Sequence, residues 1–257
     1  MAKTCIGTSG WMYKHWRAVF YPPDLPPARW FSYYARHFET VEINTTFYRL
    51  PDASTFAAWR DQAPPGFTYS VKASRYITHL KKLQNADDAV ERLLERARVL
   101  GPSLGPILFQ LPPNWNLDLE RLAAFLERLP PNLHHVFEFR HPSWFAEEAL
   151  TLLDRHGAGF CVMDLPGLET PIRATGRLGY IRLHGPARAY EGSYSDAELR
   201  AWATRIREIA GNSRPTYVYF NNDSHGYAAL NALRLRQLLG QNRAGLHELR
   251  ESAMREA

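Results

Sequence analysis

Glu42 with Asn44, Glu138 with Arg140, and Arg182 with His184 form three polar pairs, each spaced two residues apart inside an otherwise apolar run. Side chains alternate along a strand, so each pair shares one face, and charges on a buried face persist only when paired with one another or with a ligand. Lys72 with Ser74, Gln110, and Asp164 close three further runs in the same manner. The carboxylates of Glu42, Glu138 and Asp164 and the imidazole of His184 are suited to moving protons, while Lys72, Arg140 and Arg182 are suited to holding an anion. An ion-pair network without chemistry uses the same residues, and both readings stand at this point.

Other chemistries lack parts. The sequence has no Walker loop, GxGxxG, HExxH or CxxC. Glycoside hydrolysis needs two carboxylates across one opening; Glu42 and Glu138 are the glutamates available, and Arg140 beside Glu138 favours its charged form and makes it a poor general acid. A divalent metal would collect Glu42, Glu138, Asp164 and His184, a set suited to magnesium or manganese more than zinc. Lys72, Arg140 and Arg182 on the same face repel a cation, so no metal ligand is assigned and no cofactor is expected. Lys72 either forms a Schiff base, if desolvated among cations, or clamps an anion; the clamp needs no pKa shift and is preferred.

Eight short apolar runs have to position these residues: 4–9, 40–46, 68–74, 106–112, 135–140, 159–164, 179–185 and 216–222. Between them lie segments with helical spacing, such as Val90, Leu93, Leu94, Ala97 and Leu100, then Leu119, Leu122, Leu126 and Leu129, and later Leu199, Trp202, Ile206 and Ile209. Asn85, Asp52 and a capping box at 195–198 mark helix starts. Alternating strand and helix means parallel strands joined by crossovers, and eight such units predict an α/β barrel of the TIM type, (β/α)8, whose active site lies where the strands end. The segment from Leu165 to Pro171 is broken by prolines and glycine, so the helix after strand six is short or missing and the barrel somewhat irregular. We expect one barrel domain over 1–240 and a helical or frayed tail over 241–257.

Composition bounds the partners. The 257 residues are 45% hydrophobic and 22% charged, with no apolar stretch near the ~20 residues of a membrane span and no leader before the first strand, which predicts a cytoplasmic protein without a membrane partner. A net charge of +5 and a pI of 9.2 raise nucleic acid as a partner, but basic residues alternate with acidic ones as on solvated helix faces. Cys5 and Cys161 sit inside apolar runs and read as small buried hydrophobes.

Several residues carry two readings. Trp11, Trp16, Tyr48 and Trp144 follow strand ends, where they either wall a ligand or pack the core. The region from Trp11 to Pro27, rich in aromatics and prolines, is expected to fold over the mouth. The segments 184–186 and 221–226 precede a helix beginning near Tyr227 and could cradle a phosphate, with Asp223 or Ser224 as a plain helix cap the alternative.

At the strand ends the sequence resembles a known family. Gly7-Thr8-Ser9-Gly10-Trp11, Val41-Glu42-Ile43-Asn44-Thr45-Thr46-Phe47-Tyr48-Arg49, Lys72, Ile77-Thr78-His79, Leu108-Phe109-Gln110-Leu111-Pro112-Pro113, Phe139-Arg140-His141-Pro142-Ser143-Trp144, Tyr180-Ile181-Arg182-Leu183-His184-Gly185 and Phe220-Asn221-Asn222-Asp223 are similar to the family catalogued as domain of unknown function seventy-two. The resemblance covers nearly the whole chain. It implies an irregular TIM-type barrel and no established activity. On its motifs Glu42, Asn44, Tyr48, Lys72, Gln110, Glu138, Arg140, His141, Trp144, Asp164, Arg182, His184, Asn221, Asn222 and Asp223 are carried over as site candidates.

The expectation is an enzyme acting on a small or medium anionic substrate, phosphorylated or carboxylated, by acid–base chemistry with hydrolysis among the options. Nucleic-acid binding or metal-dependent phosphodiester cleavage is the alternative, and a non-catalytic ligand-binding barrel is the third reading. Oligomeric state is not written in the sequence.

Overall fold

The computed structural model describes residues 3–241, so the tail expected from 241 lies outside the described residues apart from Gln241. Every apolar run forms a strand: β1 (Thr4–Thr8), β2 (Thr40–Ile43), β3 (Thr68–Lys72), β4 (Leu104–Gln110), β5 (His135–Glu138) and β6 (Gly159–Leu165), then the two-residue β7 (Leu168–Glu169), β8 (Gly179–Leu183) and β9 (Thr216–Phe220). Around the sheet the order is β1, β9, β8, β6, β5, β4, β3, β2, with every neighbouring pair parallel. One bridge between Ser9 and Glu42 brings β2 back to β1. The result is a nearly closed α/β barrel of the TIM type.

The β1–β2 seam has its own fastening. The Tyr34 hydroxyl accepts from the Thr8 N–H at 2.9 Å and donates to the Thr40 carbonyl at 2.9 Å, supplying across the seam what the ladder supplies elsewhere. Gly7 permits the close approach, because a Cβ there would lie 2.1 Å from the Thr40 carbonyl oxygen.

Helices α1 (Trp30–His37), α2 (Thr45–Tyr48), α3 (Ala53–Gln62), α4 (Asp87–Arg98), α5 (Leu119–Leu126), α6 (Glu147–Arg155), α7 (Asp196–Ala210) and α8 (Tyr227–Leu238) fill the crossovers. In α4 the stripe Val90, Leu93, Leu94 and Ala97 is buried, with Asp87 and Asp88 in the first turn and Arg96 and Arg98 in the last, complementing the helix dipole. The capping box of α7 forms: the Glu198 N–H donates to Ser195 Oγ at 3.3 Å, and the Ser195 N–H donates to Glu198 Oε2 at 2.7 Å. Asn85 does not cap α4; it stands in the left-handed region at φ 50° and Ala86 takes the cap position. Asp52 occupies the cap position of α3 without a side-chain bond. No helix follows β6. Pro166 and Gly167 turn the chain into β7, which pairs antiparallel with β6, and Thr170 Oγ1 accepts from the Met163 N–H at 3.0 Å.

The main core lies between sheet and helices, and a second cluster, including Leu108, Val136, Cys161, Met163, Tyr180 and Tyr219, fills the barrel itself. Both cysteines are free and buried. The aromatic side chains Trp11, Tyr13, Trp16, Phe20 and Tyr21 go into the core or pack against it, while Met12 and Val19 stay exposed; Tyr21 stacks on Trp30 at 4.9 Å.

Candidate functional site

Parity along the strands brings most of the expected charged residues together inside the barrel, at the ends where the strands finish. Tyr180, Arg182 and His184 succeed one another on the inner face of β8 and just beyond it. Arg182 is fully buried and lies between two fully buried carboxylates, its Nη2 2.8 Å from Glu42 Oε1 and its Nη1 2.6 Å from Glu138 Oε2. Glu42 also accepts from Ser9 Oγ at 2.7 Å and from the Tyr180 hydroxyl at 2.6 Å. Glu138 takes a second guanidinium, Arg140 Nε, on its other oxygen. With Arg140 and Arg182 beside it, the Glu138 carboxyl is held far below the usual carboxylate range in spite of its burial.

A carboxylate so placed does not exchange protons near neutrality, so the proton-moving role expected of Glu138 does not fit. Glu42 is occupied by four donors in the same network.

His184 also departs from the expectation of an acid or base working near neutral pH. Burial, Arg182 and Arg140 push its pKa well below the ordinary value, so the ring is neutral. Arg140 Nη2 lies 3.1 Å from His184 Nε2. A guanidinium only donates, so Nε2 is the acceptor and the ring proton sits on Nδ1, 3.1 Å from the Asn221 amide, whose oxygen accepts it once oriented for that bond.

Lys72 is different. It is buried, its ammonium lies 4.2 Å from the centroid of the Phe47 ring, and among the described residues no carboxylate stands within ion-pair distance of it, because Arg182 and Arg140 have engaged both candidates. Burial first, then Arg182, pushes its pKa down to about 7. Arg140 spends two of its N–H groups on Glu138 and His184, leaving three of its five donors without a partner among the described residues. Among the described residues, Gln110, half-buried at the end of β4, makes no side-chain bond, and the buried Asn44 Oδ1 has no partner.

The remaining candidates lie elsewhere. Cys161 and Met163 face the barrel interior, so Asp164 faces out, its Oδ2 accepting from Trp202 Nε1 of α7 at 2.9 Å; the expected catalytic role is corrected. Trp11 packs edge-on against Phe31 and Trp59, and Trp144 stacks on Phe139 and donates to the Trp115 carbonyl at 2.6 Å. Both are core residues and wall no ligand here. Tyr48 is exposed at the rim. His141 Nδ1 accepts from the Ser143 N–H and caps the turn Pro142–Phe145.

The phosphate cradle expected near the start of α8 is closed. The Gly185 N–H is taken by the Tyr194 hydroxyl at 3.0 Å, Asn222 is bound to the Gly192 carbonyl and Asn231, and Trp16 Nε1 and His15 lie against the Asp223 carbonyl. Neither Asp223 nor Ser224 caps the helix; Gly226 does. Ser9, Tyr180, Phe47 and His79 were not singled out as site residues. Tyr180 was readable, since it precedes Arg182 by two. Among the described residues no three His, Cys, Asp or Glu side chains are grouped as a metal ion requires. No helix among them is long and apolar enough to cross a membrane.

Fold and site together define a TIM-type barrel whose mouth holds a buried arginine between two glutamates, with cationic capacity left over. Residues 5–256 match the profile of the family described as "Protein of unknown function DUF72", and the chain belongs to that family. The UPF0759 protein YecE of Escherichia coli K12 is 37% identical over 196 residues, which cover 74% of this chain and 66%, just under two thirds, of that protein. The UPF0759 protein YunF of Bacillus subtilis is 27% identical over 94% of this chain and 96% of its own length. A DUF72 protein of Thermotoga maritima has a solved structure that superposes with a TM-score of 0.84 at 30% identity, covering 93% of this chain and 99% of that one.

Proposed function

We propose that the barrel mouth is the active site of an enzyme acting on a small anionic substrate, phosphorylated or carboxylated. The supporting observation is the charge balance. Glu42 and Glu138 are consumed by Arg182 and Arg140, His184 is neutral, and Lys72, when protonated, has no counter-ion among the described residues. A buried ammonium beside a guanidinium with three donors unpartnered among the described residues favours an anion bridging the two.

The test is calorimetric titration with inorganic phosphate. Wild type should bind, and Arg140→Gln should bind at least about tenfold more weakly, since a charge-assisted hydrogen bond is lost. Binding of inorganic sulfate, whose charge is constant across neutrality, should strengthen as pH falls through about 7, because an anion favours the protonated Lys72 ammonium. No binding at any pH from wild type removes the reading. A nucleic-acid partner is the second reading, supported by the exposed Tyr48 and Tyr76 at the rim, with Lys81 over the Tyr76 ring. Affinity for single strands that falls steeply with salt would favour it over a small substrate.

A further inference from the structure

We infer that Lys72 is a carbonyl-reactive amine that forms an imine with an anionic aldehyde or ketone, the substrate's carboxylate or phosphate being held by Arg140; this rests on the anion reading above. A lysine kept for structure is ordinarily paired. Here the same arrangement that buries Lys72 among Arg182 and Arg140 also removes Glu42 and Glu138 from its reach. The amine rests on the Phe47 ring, an apolar floor that offers it no acceptor.

Two neighbours supply what imine chemistry needs. His79 meets the same Phe47 ring edge-on at 5.1 Å, and burial together with Lys72 lowers its pKa, so it stands as a neutral imidazole able to take up a proton. Asn44 follows Ile43, which pairs with Val71, the residue before Lys72; its Oδ1 is a buried acceptor without a donor among the described residues. A carbinolamine hydroxyl or N–H is a donor of the required kind. A pKa pushed down to about 7 leaves much of the amine neutral at physiological pH, where an ordinary lysine is almost wholly protonated.

The step balances without a co-reactant. The Nζ lone pair of the neutral amine attacks the carbonyl carbon, and one amine proton passes to the carbonyl oxygen, giving a carbinolamine hydroxyl. The second amine proton passes to that hydroxyl, which leaves as water as the C=N bond forms, so both protons of the amine depart in the water. Nothing is oxidised or reduced.

The experiment is trapping on the unmodified protein. At about pH 7.5, where an ordinary lysine is still protonated, glyoxylate and dihydroxyacetone phosphate are offered in separate reactions, with acetaldehyde as the uncharged comparison. Sodium borohydride reduces any imine, and the peptides are mapped. The expected result is one adduct, on Lys72, formed at least about tenfold faster than on Lys3, Lys14, Lys81 or Lys82. The anionic carbonyls should react faster than acetaldehyde, and inorganic phosphate should slow them. Adducts spread evenly over all five lysines overturn the inference. No adduct on Lys72 while inorganic phosphate still binds also overturns it and leaves the anion site standing. Loss of both overturns the two readings together.

Discussion

Each end of the barrel buries an arginine, and the two ends treat it differently. At the end where strands begin, Arg236 donates to the His37 carbonyl, lies 3.6 Å from Glu39 and covers the Phe38 ring. At the end where strands finish, Arg182 is enclosed by two carboxylates, and a further guanidinium and an ammonium are packed beside it. Strain follows the same division. The six non-glycine residues with left-handed φ among the described residues, Ala18, Lys82, Leu83, Asn85, Tyr190 and His225, all lie in segments that leave strands. A π-helical turn, Tyr76–Leu80, is found there too. Such conformations cost on the order of 1 kcal/mol or more each and persist where the surroundings fix them, as ligand sites do. The starting end holds the barrel together; the finishing end holds charge and strain beyond what folding needs.

Removing the arginine at the finishing end sharpens that contrast most. Arg182→Leu leaves Glu42 and Glu138 buried and short of donors, and should destabilise by about 3–5 kcal/mol in urea unfolding at neutral pH. Adding Glu42→Gln and Glu138→Gln to that variant should restore a large part of the loss, since the penalty belongs to unpaired charge. A single variant within 1 kcal/mol of wild type, a threshold set by ordinary surface pairs, would mean that the triad does not hold the mouth.

Two of the three buried histidines among the described residues, His37 and His184, give the next contrast. Among the described residues neither ring nitrogen of His37 has a partner, whereas both nitrogens of His184 are bonded. Burial, aided by Arg236, pushes His37 down to about 4. Its folded pKa lies below the unfolded value, so the unfolded chain takes the proton first and stability falls as pH drops from about 6.5 to about 4, by on the order of 2 kcal/mol. His37→Phe fits between Phe20 and Tyr33, removes two unsatisfied atoms and should flatten that part of the acid limb. His184→Phe should destabilise, because Arg140 and Asn221 lose their partner. Equal effects from the two substitutions would erase the distinction.

The contrast between the ends also explains what the sequence could and could not reveal. Barrel strands and their inner faces were legible because period two is strict along a strand, and Glu42, Glu138 and Arg182 each fall on it. Asp164 was misplaced by one residue of parity: counted from Cys161 and Met163, it belongs to the outer face. Trp11 and Trp144 lie past strand ends, where that period no longer applies and only packing decides. Pairing was the hidden quantity. That Lys72 lacks a counter-ion among the described residues depends on which guanidinium reaches each carboxylate, a three-dimensional competition among β2, β3, β5 and β8 that spacing along one chain does not encode.

Lys72 gives the smallest expected effect and the most specific one. Its folded pKa of about 7 lies below the unfolded value near 10.5, so below about 10 the unfolded chain is protonated more readily and folding bears the difference. Stability from this group therefore rises as pH climbs from about 7 to about 10, the reverse of a paired lysine. Lys72→Met keeps the contact with Phe47 and removes the charge, so it should stabilise by about 1 kcal/mol at pH near 6, discounted because the ammonium retains some water. Thermal unfolding of the two proteins should converge toward pH 10, where an ordinary lysine also begins to lose its proton, and the variant should have lost most of its phosphate affinity. A variant less stable than wild type at low pH would mean that Lys72 is paired in solution, and the mouth would then be as closed as the end that holds Arg236.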